Sequence, residues 1–289
     1  MGNAFGLFAG IAWGLSDYLA AHLSKRFHPI ATLLVGQLTT APLVLLMMLV
    51  IPSGFSLDAA AWGAVGGVGN VLGMLMFLRA FAIEKASVVA PLCGVFSCVP
   101  PVVFGLVTGD RLTVLLALGA VLCLAGVVLV TSASPEPVPT APGDPVSAED
   151  LGRRHPLEGA FLATGAGFTF GLMFLCLAAA PEESGLWPLL MMRSSALLPL
   201  GYVVVRSVPL NMTARTVRSI FLRFSVALAA LGSYRLGVRD GSVVIVTILS
   251  SISPLFTAVL AWWIDKEAAT RWQVTGVVVA VIGVILITL

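Results

Sequence analysis

Long apolar stretches separated by short polar breaks run from one end of this chain to the other. Divided at its charges, prolines and turn clusters, it gives ten such stretches, near 3–23, 30–51, 59–82, 87–108, 113–132, 157–180, 186–207, 216–238, 242–263 and 271–289. About 20 apolar residues carry a helix across the hydrocarbon core of a bilayer, so the pattern predicts ten transmembrane helices. Most breaks are only a few residues long: SKRFHP after the first stretch, IPSGFSLD after the second, IEKA after the third, TGDRLT after the fourth.

The break at 132–156, SASPEPVPTAPGDPVSAEDLGRRHP, is of another kind. Its prolines each remove a backbone donor and clash with the preceding turn, so it reads as a solvated linker rather than a helix. The sequence after it repeats the sequence before it at a shift of about 157 positions. Gly2 falls on Gly159, Gly10 on Gly167, Gly14 on Gly171, Pro42 on Pro199, Pro52 on Pro209, Gly119 on Gly276 and Gly126 on Gly283. One nearly constant offset for glycines and prolines marks a duplicated unit. We therefore expect an all-α integral membrane protein with a first five-helix repeat at 1–132, a Pro-rich linker at 133–156 and a second five-helix repeat at 157–289. Five spans is an odd number, so the second copy enters the bilayer from the opposite side and the repeats are inverted. Protease nicking between Ser134 and Glu149 is expected to leave two fragments that copurify in detergent. Fragments that separate would contradict a shared interface.

Composition agrees with a membrane location. The chain is 58% hydrophobic and 10% charged, where soluble domains carry about a quarter charged residues. A net charge of +2, spread over short loops, points away from nucleic acid. Cys93, Cys98, Cys123 and Cys176 all fall inside apolar runs, with no metal-ligand spacing and no disulfide framework, and we expect neither metal nor cofactor. The sequence contains no HExxH, no GxSxG and no phosphate-binding loop, and it does not read as an enzyme.

An ionisable residue inside a span costs about 2.5–3.5 kcal/mol on insertion scales, so each needs a reason. Asp17, Arg79, Arg193 and Arg235 are those residues. Gly10, Trp13, Ser16 and Asp17 share one face of the first helix, and the repeat places Met173 and Phe174 opposite Ser16 and Asp17, so the acid is an asymmetric addition to one half. Taking the first and third helices as running the same way, Asp17 and Arg79 come to comparable depths. Arg79 is then the expected partner of Asp17, whereas Arg235, near a span end, is read as snorkelling to the surface. Arg193 lies about seven residues into its span beside Ser194 and Ser195. Gln37 and Asn70 are neutral polar residues within spans, and Pro91 and Pro254 sit within apolar runs where a freed carbonyl needs protein or a water-filled cavity. With Phe170, the repeat mate of Trp13, these complete a candidate substrate and proton pathway: Trp13, Ser16, Asp17, Gln37, Asn70, Arg79, Pro91, Phe170, Arg193 and Pro254.

Trp13-Gly14, the pattern ASVVAPLCGVFSCVPP followed by GDRLT and a Gly-x6-Gly span, and its echo GSVVIVTILSSISPLF followed by DKEAAT with Gly276 and Gly283, resemble the EamA-like branch of the drug/metabolite transporter superfamily. The resemblance implies a secondary carrier in the cell membrane, with a cavity between its halves, that moves small metabolites, often outward. Two positions depart from the usual pattern: Asp110 stands where Glu is usual, and Asp17 where an apolar residue often stands.

The function expected is secondary active transport of a small amino-acid-like or drug-like metabolite, as a monomer or homodimer, with protons as the candidate coupling ion. A non-transporting scaffold or accessory subunit, and a flippase for a lipid-linked substrate, are the alternatives. Twelve Lys and Arg lie in or beside the odd connections against Arg111, Arg235 and Arg239 in the even ones. Basic residues are retained on the cytoplasmic side, so the charges put the linker inside and the termini outside, whereas the resemblance implies termini inside.

Overall fold

The computed structural model describes residues 1–24, 29–83, 86–111, 113–132, 156–206, 212–264 and 270–288. The linker, Glu267 of the DKEAAT echo and the side-chain surroundings of Pro91 lie outside the described residues. The apolar stretches are helices: α1 (Gly2–Ser24), α2 (Pro29–Val50), α3 (Leu57–Ile83), α4 (Ala86–Thr108), α5 (Val114–Ser132), α6 (Pro156–Ala179), α7 (Trp187–Met192), α8 (Leu197–Val205), α9 (Ala214–Asp240), α10 (Val243–Ser250), α11 (Ser253–Ile264) and α12 (Arg271–Thr288). Among the described residues, six stretches, including α10–α11 taken as one, are long and apolar enough to cross a membrane by length and composition.

Two spans expected as single helices are broken, both in the second half. A 3₁₀ turn at Arg193–Ala196 separates α7 from α8, and a turn at Ser251 and Ile252 separates α10 from α11. Pro199 and Pro254 have no N–H to offer the carbonyls of Ser195 and Ser250, and the ladder opens there. Within the turns Ser195 donates to the Met192 carbonyl at 2.6 Å and Ser251 to that of Ile248 at 2.8 Å. Proline alone does not force a break, because α2 runs through Pro42 and α4 through Pro100 and Pro101 without interruption.

The helices of the two halves pack reciprocally. α1 lies against α9, α10 and α11, and its repeat mate α6 lies against α3 and α4, the mates of α9 and α10. α5 and α12, also mates, cross each other. At that crossing Gly119 meets Gly283 and Gly126 meets Gly276, each contact the image of the other. Between them the Cys123 thiol reaches the carbonyl of Ala280, its own mate, at 3.6 Å. Small residues let the backbones approach this closely. A Cβ on Gly126 would sit 2.5 Å from the Gly276 carbonyl oxygen, whereas on Gly94 it would meet nothing nearer than Val127 at 3.9 Å. Gly126→Ala is therefore expected to lower the thermal midpoint of the detergent-solubilised protein by several degrees. Gly94→Ala should leave it unchanged or raise it, since alanine gains about 1 kcal/mol in helix propensity.

Asp110 lies just after α4 and caps a helix of the other half. Its carboxylate accepts from the Val244 N–H at 3.0 Å and the Ser242 hydroxyl at 2.9 Å, at the start of α10. A negative charge there satisfies the free amide donors of the helix.

Candidate functional site

The bundle-facing side of α1 is built from glycine, so that α10 and α11 come close. A Cβ on Gly10 would lie 2.7 Å from the Leu249 carbonyl oxygen, and one on Gly14 2.7 Å from that of Ser253. Thr257 donates to the Gly14 carbonyl at 3.0 Å and Ser250 to that of Gly6 at 3.3 Å. Asp17 follows Gly14 by one turn. It keeps a large accessible surface, while its neighbours Ser16 and Tyr18 are buried. Trp13, one turn earlier, stands edge-on to Phe174 at 5.0 Å, and both meet Tyr234, whose hydroxyl shares a hydrogen bond of 3.0 Å with Thr247. An acid thus sits one turn from a packed aromatic cluster.

The cation that acts on Asp17 is Arg223 of α9, and Arg79 has no part in it. Arg79, at the end of α3, is exposed and pairs with Glu158 of α6 at 3.8 Å. The expected Asp17–Arg79 pair fails because α1 packs on α9, α10 and α11 rather than on α3, so equal depth does not bring the two together. The reading of Arg235 as a snorkelling residue is overturned as well. It is 2% exposed and donates to the carbonyls of Leu177 at 2.9 Å, Pro181 at 2.6 Å and Gly185 at 3.3 Å, with the Ser184 hydroxyl at 3.4 Å. The chain between α6 and α7 turns through a 3₁₀ segment and Gly185 at φ +53°, and Arg235 supplies donors to carbonyls along it, joining the Ser184 N–H at Pro181.

Gln37 of α2 is 1% exposed and is held by the Ser195 hydroxyl at 3.1 Å, tying α2 to the turn that carries Arg193. Beside it, Gly36 packs against the ring of Phe224, the residue after Arg223, whose guanidinium also lies over that ring at 4.6 Å. Asp17, Arg223, Gln37 and the Arg193 turn are thereby strung along α1, α9, α2 and the break between α7 and α8. The other expected residues fall elsewhere. Ser16 is buried, Asn70 is half-buried on α3, Pro254 is half-buried at the start of α11, and Pro91 lies within α4. Phe170 packs on Phe77 at 6.1 Å, the image of the Trp13–Tyr234 contact at 6.3 Å.

The repeat separates what the fold needs from what was added. The mate of Arg223 is Gly66, that of Arg193 is Gly36 and that of Asp17 is Phe174. Each position is filled by a small or apolar residue in the other half, so the fold does not require charge there. Arg223 was missed because it lies near a span end and was grouped with the connecting loops. Subtracting 157 would have placed it on the Gly-rich packing face of the third span, hence inward.

The sequence pattern that defines the EamA-like transporter family matches residues 1–132 and again 157–289. The chain belongs to the EamA-like transporter family. Members of this family are membrane transporters rather than enzymes, and this member is accordingly a multi-pass membrane protein. Solved structures share its fold, and 28 chains match. One crystal structure matches over 100% of this chain and 98% of its own with a TM-score of 0.76 at 17% identity. No curated protein matches the chain.

Proposed function

We propose that this EamA-like protein is a secondary carrier of a small metabolite, with ten spans in two inverted repeats that open a shared internal space alternately to the two sides of the cell membrane. The observation that carries this reading is the asymmetry of charge on a reciprocal fold. Asp17, Arg193 and Arg223 stand where the other half has Phe174, Gly36 and Gly66. Intramembrane ionisable residues are costly, and those that the fold does not demand are expected to serve a transported solute or ion. Asp17 is held by Arg223 in one state and exchanges it for a proton or a cationic group of the cargo in the other. A scaffold or accessory subunit would gain nothing from an intramembrane acid where the other half has Phe174. A lipid-linked substrate would call for more cations facing that space than Arg193 and Arg223.

Comparing the metabolites in the medium of cells with and without the protein tests the reading without presuming a substrate. A small set of solutes is expected to accumulate outside only when the protein is present. Identical profiles under varied nutrient supply would count against transport.

A further inference from the structure

A buried arginine and a half-buried one make opposite use of their donors in this protein. Arg235 spends its guanidinium on three backbone carbonyls and a hydroxyl. Arg193, carried on the turn that interrupts the seventh span, makes no hydrogen bond and no ion pair among the described residues, and its Nε is enclosed without a partner. The Gln37 side-chain amide is enclosed and meets the Ser195 hydroxyl, two residues from Arg193, at 3.1 Å. Arg193 and Arg223 each leave an enclosed Nε without a hydrogen-bond partner among the described residues. Arg223 has the opposing charge of Asp17, but Arg193 has none. A permanent cation with an enclosed donor left unpartnered is half of an ion pair.

Building on the carrier reading, we propose that Arg193, on the turn that Ser195 ties to Gln37, is the seat of an anionic group of the cargo, and that this group is a carboxylate. Charge balance selects the class. Asp17 offsets Arg223, which leaves one uncompensated positive charge at Arg193, enough for a monoanion and too little for a phosphate dianion. Geometry agrees, because the planar guanidinium fork matches the two oxygens of a carboxylate. Repeat logic agrees too, since the mate of Arg193 is Gly36 and the fold is served there by a residue with no side chain.

The test is ligand-dependent thermal stabilisation of the purified full-length protein in detergent, with acetate as the smallest carboxylate and acetamide as its neutral isostere, at constant ionic strength. Acetate is expected to raise the unfolding midpoint saturably and acetamide to have no effect. Arg193→Gln should weaken the acetate response about tenfold or more, the order expected for losing a charge-assisted hydrogen bond. Arg193→Lys keeps the charge and should retain part of the response, and Arg79→Gln, at an exposed pair away from the site, should retain all of it. Equal responses to acetate and acetamide, no response to acetate, or an undiminished response in Arg193→Gln would overturn the proposal. A stronger response to inorganic phosphate than to acetate would overturn the carboxylate assignment. Binding is measured here without flux, so the two readings fail separately. Acetate bound through Arg193 in a protein that redistributes no metabolite sinks the carrier reading alone, and redistribution without an acetate response sinks the anion site alone.

Discussion

Asp17→Asn is expected to leave the protein folded and inserted while transport loses its dependence on the pH gradient. Asparagine keeps the shape of the side chain and removes the only acid in α1. A proton then has nowhere to bind at this position, and Arg223 no longer has a charge to release and recapture. The rival account is a static pair whose only role is to neutralise two enclosed charges. Under it, breaking the pair strands Arg223 and costs about 3–5 kcal/mol, so Asp17→Asn alone should yield little folded protein and Asp17→Asn with Arg223→Gln should restore it. Thermal midpoints of the two single variants and the double variant separate the accounts before any flux is measured. Arg79→Gln is the internal control. Its exposed pair with Glu158 at 3.8 Å is worth about 0–1 kcal/mol, and neither stability nor pH dependence should move.

The largest effect on stability is expected at Arg235. Arg235→Met fills a similar volume but withdraws the donors from the carbonyls of Leu177 and Gly185, while the Pro181 carbonyl keeps the Ser184 N–H and hydroxyl. Leaving buried acceptors unmatched costs about 1–3 kcal/mol each, and a loss of several kcal/mol in total exceeds much of the stability a protein of this kind has to spare. The variant should fail to give monodisperse protein in detergent. Arg235→Lys should recover little, because an ammonium is a point charge and cannot span acceptors arranged for a planar fork. A stable, monodisperse Arg235→Met protein would show that the turn between α6 and α7 does not rely on this side chain.

Arg79 and Arg235 also show where sequence reasoning stops. They lie within one position of repeat equivalence and look alike in hydropathy, yet one is exposed beside Glu158 and the other is 2% exposed under a turn. The difference is made by chain that neither residue belongs to, the loop between α6 and α7, whose carbonyls accept from Arg235. The apolar segments and the duplication were legible because both are written in local pattern, hydropathy in one case and glycine and proline spacing in the other. Asp17 was legible for the same reason, as a charge inside an apolar run. Its partner was not, because partnership depends on which helices pack, and α1 packs across the repeat boundary. The breaks at Arg193–Ala196 and at Ser251 were only half legible. Pro254 and the Ser194–Ser195 pair were visible, but α4 carries more prolines and stays whole. Arg223 and Arg235 both move into the bundle, which removes one residue from each side of the loop-charge comparison.

The central claim is that the space before Asp17 opens in turn to both sides of the membrane. The most direct measurement places a single cysteine at position 17 in a variant lacking Cys93, Cys98, Cys123 and Cys176, and exposes right-side-out and inside-out vesicles separately to a small impermeant thiol reagent. We expect labelling from each side, with either reaction slowed when the protein is held in one state by a transported solute. Labelling from neither side, or from one side only under all conditions, would contradict the account.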